Sequence, residues 1–160
     1  MRKIGCLLLF VVFLGACSNE NNPKEHLGEI TAIALESLME KDKALSSDVN
    51  YIALDFNNIE RYTDLEVKEI QGFLEERYKV EVIKASLEEL KKKGLYNLEE
   101  MGLEDGVLLK IEKINFKWFN TVHFETSKFR SAKGAIGVET TIQFKEGKWK
   151  MKESTETWIS

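Results

Sequence analysis

One proline, two cysteines and two histidines among 160 residues are few enough that each scarcity removes a class of chemistry. Cys6 lies inside an apolar N-terminal run and Cys17 closes it. The residues beyond Cys17 therefore offer no thiol for a disulfide, a redox pair, a cysteine nucleophile or a cysteine-ligated zinc. That stretch must be held together by packing. His26 and His123 are far apart and have no flanking ligand spacing, so no metal site is expected. There is no Gly-x-Ser-x-Gly and no Ser-x-x-Lys; Ser131-Ala132-Lys133 falls one residue short of the latter. Gly134-Ala135-Ile136-Gly137 lacks the Gly-Lys-Ser/Thr ending of a phosphate loop and reads as a strand connection. A net charge of −4 withholds the basic footprint that nucleic acid requires. It also argues against broad contact with anionic lipid.

Long apolar runs are missing too. The longest is the eleven residues Ile4 to Leu14, short of the roughly 20 that cross a hydrocarbon core as a helix. Met1-Arg2-Lys3 precedes it and Gly15-Ala16-Cys17 follows. A short basic start, an apolar middle and small residues at the end form the layout of a secretory signal peptide. The quartet Leu14-Gly15-Ala16-Cys17 resembles the lipobox of bacterial lipoproteins at every position. The resemblance implies removal of residues 1–16, a diacylglycerol on the Cys17 sulfur and often a further acyl chain on the new amine. Two or more chains suit stable anchoring, where one alone is marginal. Loss of Arg2 and Lys3 with the signal would move the charge from −4 to −6. Membrane contact is then expected through Cys17 alone, on the extracytoplasmic face of the cell membrane.

Residues 17–24 carry the lone proline, Pro23, among polar neighbours and read as a short tether. Residues 25–160 are expected to form one domain. Leu27, Ile30, Ile33, Ala34, Leu38 and Leu45 keep helical spacing from Glu25 to about Leu45. Tyr51 to Phe56 reads as a buried strand. Thr63-Asp64-Leu65-Glu66 is a capping box opening a helix to about Tyr78. Val80 to Ile83 marks another strand. Ser86-Leu87-Glu88-Glu89 is a second capping box, whose helix should stop at Lys91-Lys92-Lys93-Gly94.

After Gly106 the period becomes two, and four strands are predicted at about 107–119, 121–131, 135–145 and 148–158. Leu109 and Ile111 share one parity, Ile114, Phe116 and Trp118 the other, so a bulge is expected near Glu112–Lys113. Glu146-Gly147 reads as a tight hairpin turn. The order predicts an α+β fold: helices packed on one face of a curved, mostly antiparallel sheet, with a strand-helix-strand unit followed by a four-stranded meander. In element order this resembles cystatin-like folds, and that analogy carries no function. Ser127 to Gly137, Gly147 to Lys150 and Thr157 to Ser160 resemble segments of small lipoproteins of Gram-positive bacteria, a likeness that implies an address and no activity.

The residues with chemical potential are few. Adjacent acids such as Glu75-Glu76 and Glu99-Glu100 point to different faces and do not converge on a substrate. Trp118, Trp149 and Trp158 are expected to fill the core, although such residues also anchor partners. Arg130 and Lys133 lie in a segment, Phe129 to Gly137, that contains no acid. They are expected at the tip of a strand connection, as a candidate contact for a partner carboxylate or phosphate. The leading expectation is a non-enzymatic binding or accessory domain at the membrane surface, with no cofactor, no metal and no catalytic residue. Its partner would be a protein or a small molecule. Two other readings stay open: an enzyme or carrier with a pocket around His123 and a carboxylate such as Asp55, and an immunity or exclusion-type modulator of another envelope protein.

Overall fold

The computed structural model describes residues 21–118 and 120–160; the apolar run, Cys17 and residues 18–20 of the tether lie outside them. Both capping boxes form. Thr63 Oγ1 accepts from the Glu66 amide at 3.2 Å while Glu66 Oε2 accepts from the Thr63 amide at 2.7 Å, opening α2 (Asp64–Tyr78). Ser86 and Glu89 exchange the same pair at 3.3 and 2.8 Å, opening α3 (Leu87–Lys92). In each case one acidic residue satisfies an amide that the helix leaves without a partner.

The first helix is shorter than its apolar spacing suggests. α1 runs Leu27–Glu40; Asp42 then takes φ 39° in the left-handed region and a 3-10 turn, Lys43–Ser46, follows. What stops the helix is a lysine from far along the chain. Lys128 Nζ donates to the carbonyls of Met39, Lys41 and Asp42, so these end groups turn toward one buried cation instead of continuing the helical ladder.

The strands are β1 (Tyr51–Asp55), β2 (Glu81–Lys84), β3 (Tyr96–Asn97), β4 (Gly102–Leu103), β5 (Gly106–Lys117), β6 (Thr121–Ser131), β7 (Gly134–Lys145) and β8 (Lys148–Ile159). They make one mixed, mostly antiparallel sheet. β1 lies parallel to both β2 and β5, and β5 through β8 pair antiparallel in sequence order. β4 joins the end of β6 through Gly102 and Ser131, with β3 outside it. The α+β class therefore holds. β3 and β4, two residues each, were not anticipated. The expected bulge is present: Ile111 pairs Thr126 and Lys113 pairs Glu125, leaving Glu112 extra. It brings Ile114 and Phe116 to the same face as Leu109 and Ile111.

That face carries the main core. Ile52, Leu54, Leu109, Phe124, Val138 and Ile142 meet Ile30, Leu35 and Leu38 of α1 and Val67, Ile70 and Leu74 of α2. The expectation of helices on one face holds for these two and fails for α3. Leu90 of α3 packs with Tyr51, Ala53 and Leu108, which alternate with the main-core residues and so point to the opposite face. The tryptophans divide as well. Trp149 is buried, but Trp118 is 88% exposed in the turn after β5 and Trp158 is 48% exposed. Trp158 lies over Gly137, where a Cβ would come within 2.0 Å of its indole nitrogen.

Two partly buried tyrosines make opposite predictions. Tyr62 Oη lies 2.7 Å from Thr31 Oγ1, and burial holds its pKa far above the usual range. Tyr78 is pushed up to about 12, by burial first and then by Glu40 and Glu36; its Oη has no hydrogen-bond partner among the described residues. Tyr62→Phe should cost about 1–2 kcal/mol, because Thr31 loses its partner. Tyr78→Phe should be neutral or stabilising by up to about 1 kcal/mol, since it removes a desolvated, unpaired hydroxyl. Urea unfolding of the two variants checks the contrast in sign.

Candidate functional site

The sheet has two distinct ends. At one end lie the β5–β6 turn, the β7–β8 turn and the start of α1. The Phe144 amide donates to the Asn120 carbonyl across the two turns, and the His26 ring sits 6.4 Å from that of Trp149. Lys24, Leu27, Arg61, Thr63, Glu66 and Phe116 line one groove there. The β6–β7 turn, Ala132–Lys133, is at the other end, about 35 Å away along a twelve-residue strand.

This far end holds a depression of about 460 Å³ lined by Asn97, Glu100, Gly102, Leu103, Glu104, Asp105, Arg130 and Ser131. Its floor depends on a glycine. A Cβ on Gly102 would stand 2.8 Å from the Arg130 carbonyl oxygen and 2.7 Å from Ser131 Cβ, so a larger residue would push β4 off β6. Asn97 organises the rim: its Oδ1 accepts from the amides of Glu99 and Glu100 at 2.9 and 3.1 Å, and its Nδ2 donates to Glu104 Oε1 at 3.2 Å. Met101 and Asp105 hold left-handed φ of 50° and 51° and turn the chain tightly on either side of β4.

Arg130 is half-buried and not at the turn itself. One guanidinium N–H donates to the Ser47 carbonyl at 2.6 Å, fixing the group against the end of the 3-10 turn. No other partner binds it among the described residues, so most of its five donors remain open. The absence of acids from Phe129 to Gly137 proves misleading in three dimensions. Glu100, Glu104 and Asp105 arrive from the loops around β4 and share the depression with Arg130. The site is of mixed charge and suits a ligand or peptide group presenting both a carboxylate and an amine. Lys133 is exposed in the turn, as expected, but does not line the depression.

His123 stands elsewhere, in the middle of β6, on the face of β5–β8 away from α1 and α2. Its Nδ1 lies 3.2 Å from Thr141 Oγ1, and it pairs across the sheet with Asn115 and Thr141. Asp55 is not its neighbour. It sits on β1 opposite Lys110, which is opposite Ser127, and its Oδ1 accepts from the Asn57 amide. The structure thus does not bring Asp55 to His123; the carboxylates on the same face of the sheet as His123 are those of Glu125 and Glu139. His26 Nδ1 lies 3.2 Å from Glu29 Oε2 within the first turn of α1. No group of three or more His, Cys, Asp or Glu side chains suited to a metal ion occurs among the described residues.

Sequence reasoning missed the acids of the depression and Lys128. The first were hidden by sequence distance. The second had a visible signal: Val122, Phe124, Thr126 and Lys128 share one parity, which places the lysine on the core side. An α+β domain with a polar depression at one end is what fold and site define. Compared with protein-family models, with curated proteins and with solved structures, the chain matches none of them.

Proposed function

We propose that this protein is a lipid-anchored, non-enzymatic binding or accessory domain on the outer face of a bacterial cytoplasmic membrane, and that the Arg130 depression is the surface it offers to a partner. One observation carries the reading. The tether side of the chain enters at α1, beside the β5–β6 and β7–β8 turns, and the depression lies at the opposite end of the sheet. A domain anchored through Leu14-Gly15-Ala16-Cys17 would hold this mixed-charge surface outward, away from the bilayer. Arg130 supplies planar donors for a carboxylate, and Glu100, Glu104 and Asp105 supply acceptors for an amine.

The test has two parts. Metabolic labelling with a fatty-acid analogue should mark the wild type and leave Cys17→Ala unmarked; label on that variant removes the anchor. Cross-linking in the membrane should then give an adduct that Arg130→Glu abolishes and Lys133→Glu weakens. An adduct unchanged in both variants removes the depression as the contact. Lys133→Glu should alter stability by no more than about 0.5 kcal/mol. Arg130→Glu should lose about 1–2 kcal/mol, since it breaks the bond to Ser47 and adds a fourth carboxylate. Adduct loss is therefore read at a temperature where both variants are folded.

A further inference from the structure

We infer that the tether end of the domain docks on anionic lipid through the tips of its two hairpins, with Trp118 at headgroup depth and Lys117, Lys145 and Lys148 over the lipid charges. This rests on the lipid-anchor reading. Trp118 is the most exposed large apolar side chain among the described residues, at 88%. It sits in the turn after β5. Lys24, at the end of the tether, lines the same groove as Phe116, two residues before Trp118. From Cys17 to Lys24 the extended chain reaches only about 25 Å at roughly 3.3 Å per residue. An acyl chain on Cys17 would thus keep this end, and no other, against the bilayer.

The charges fit that placement. The chain as a whole is acidic, but the two turns are not. Lys117, Lys145 and Lys148 are exposed and have no ion-pair partner among the described residues. The one acid between them, Glu146, is bound by Lys150. The helical side of the same end carries both signs, with Lys24 and Arg61 exposed beside Glu60 and Asp64. An anionic surface would attract the hairpin tips, where those three lysines lie together, more strongly than that mixed side, tilting the domain onto Trp118. Tryptophan suits this depth because its indole pairs an apolar body with a polar N–H, and lysines near a surface of anionic headgroups add attraction that salt weakens. Net charge alone suggests contact through the anchor only; the local distribution reverses that expectation.

The full-length, processed protein would be reconstituted into vesicles of equal parts phosphatidylcholine and phosphatidylglycerol containing a lipid brominated near the top of its acyl chain. Bromine quenching of tryptophan fluorescence is expected, lost in Trp118→Phe and kept in Trp158→Phe, whose site is at the far end. Quenching should fall at least several-fold in the triple variant Lys117→Glu, Lys145→Glu, Lys148→Glu, and in vesicles of phosphatidylcholine alone. Protein that incorporates but shows Trp118 unquenched overturns the docking and leaves the anchor standing. Protein whose mass lacks the lipid and which does not float with vesicles overturns both. Quenching of equal strength without anionic lipid overturns the electrostatic contact and with it the proposal.

Discussion

Replacing Lys128 by alanine is expected to lower folding stability by about 3–5 kcal/mol, the range for stripping one partner from a buried, charged hydrogen-bond set. Lys128 is fully buried, at 0% exposure. Its Nζ lies 3.3 Å from the Met39 carbonyl, 2.9 Å from that of Asp42 and 3.4 Å from Ser46 Oγ, and also donates to Lys41. A cation at the negative end of α1 complements the helix dipole as well as the carbonyls that end the helix. Alanine would leave a cavity and take from the Lys41 carbonyl its Lys128 donor, while Asp42 keeps the Leu45 amide and Met39 the Ser46 hydroxyl. Lys128→Met keeps most of the volume and removes only the donors, so a loss of about 2–4 kcal/mol is expected, and the gap between the variants reports the packing. Burial pulls the Lys128 pKa down to about 8 against Asp42, Glu156 and Glu40, which pull it up. Between pH 8 and the usual 10.5 the unfolded chain then binds more protons at this site than the folded one. The Lys128 contribution to stability should therefore rise with pH through that window, by at most about 3 kcal/mol. Wild-type stability minus that of Lys128→Met, measured at several pH values, reads it directly; a flat difference would mean the amine keeps its ordinary pKa.

The same lysine shows why some of this fold could be read from sequence and some could not. Thr63–Glu66 and Ser86–Glu89 lie within one turn of each other, so residue type and spacing decide the contact and both helix starts were legible. The bulge at Glu112 was legible because a break in alternation can be reconciled in few ways. The end of α1 was not, since it depends on Lys128 reaching across from β6. Nor was the placement of α3: a helix of six residues with one fully buried side chain, Leu90, has too little periodicity to declare which face it covers. β3 and β4 exist because Gly102 lets two backbones approach, a relation between distant segments. The depression is of the same kind. Arg130 was identified as a candidate contact, but the acids around it come from loops on either side of β4, and no local pattern joins them.

Phe124→Ala should lose about 3–5 kcal/mol, while His123→Ala, one position away, should lose about 1 kcal/mol or less. The contrast follows from strand geometry. Adjacent side chains on β6 point to opposite faces, so Phe124 enters the core shared with α1 and α2 at 0% exposure. His123 remains half-buried on the outer face, hydrogen-bonded to Thr141 Oγ1. Truncating the phenylalanine removes a large apolar surface from a site that cannot collapse around it, because β5 and β7 hold β6 in register on both sides. Truncating the histidine exposes a threonine hydroxyl to water, which can replace the lost partner. Guanidinium unfolding of the two variants measures both values. Equal losses would mean that Phe124 and His123 do not face opposite sides of the sheet. His123→Ala also bears on function. If the protein acts by presenting the Arg130 depression, this variant should keep its cross-linked adduct at wild-type yield; its loss in a fully folded His123→Ala protein would move the site to the outer face of the sheet.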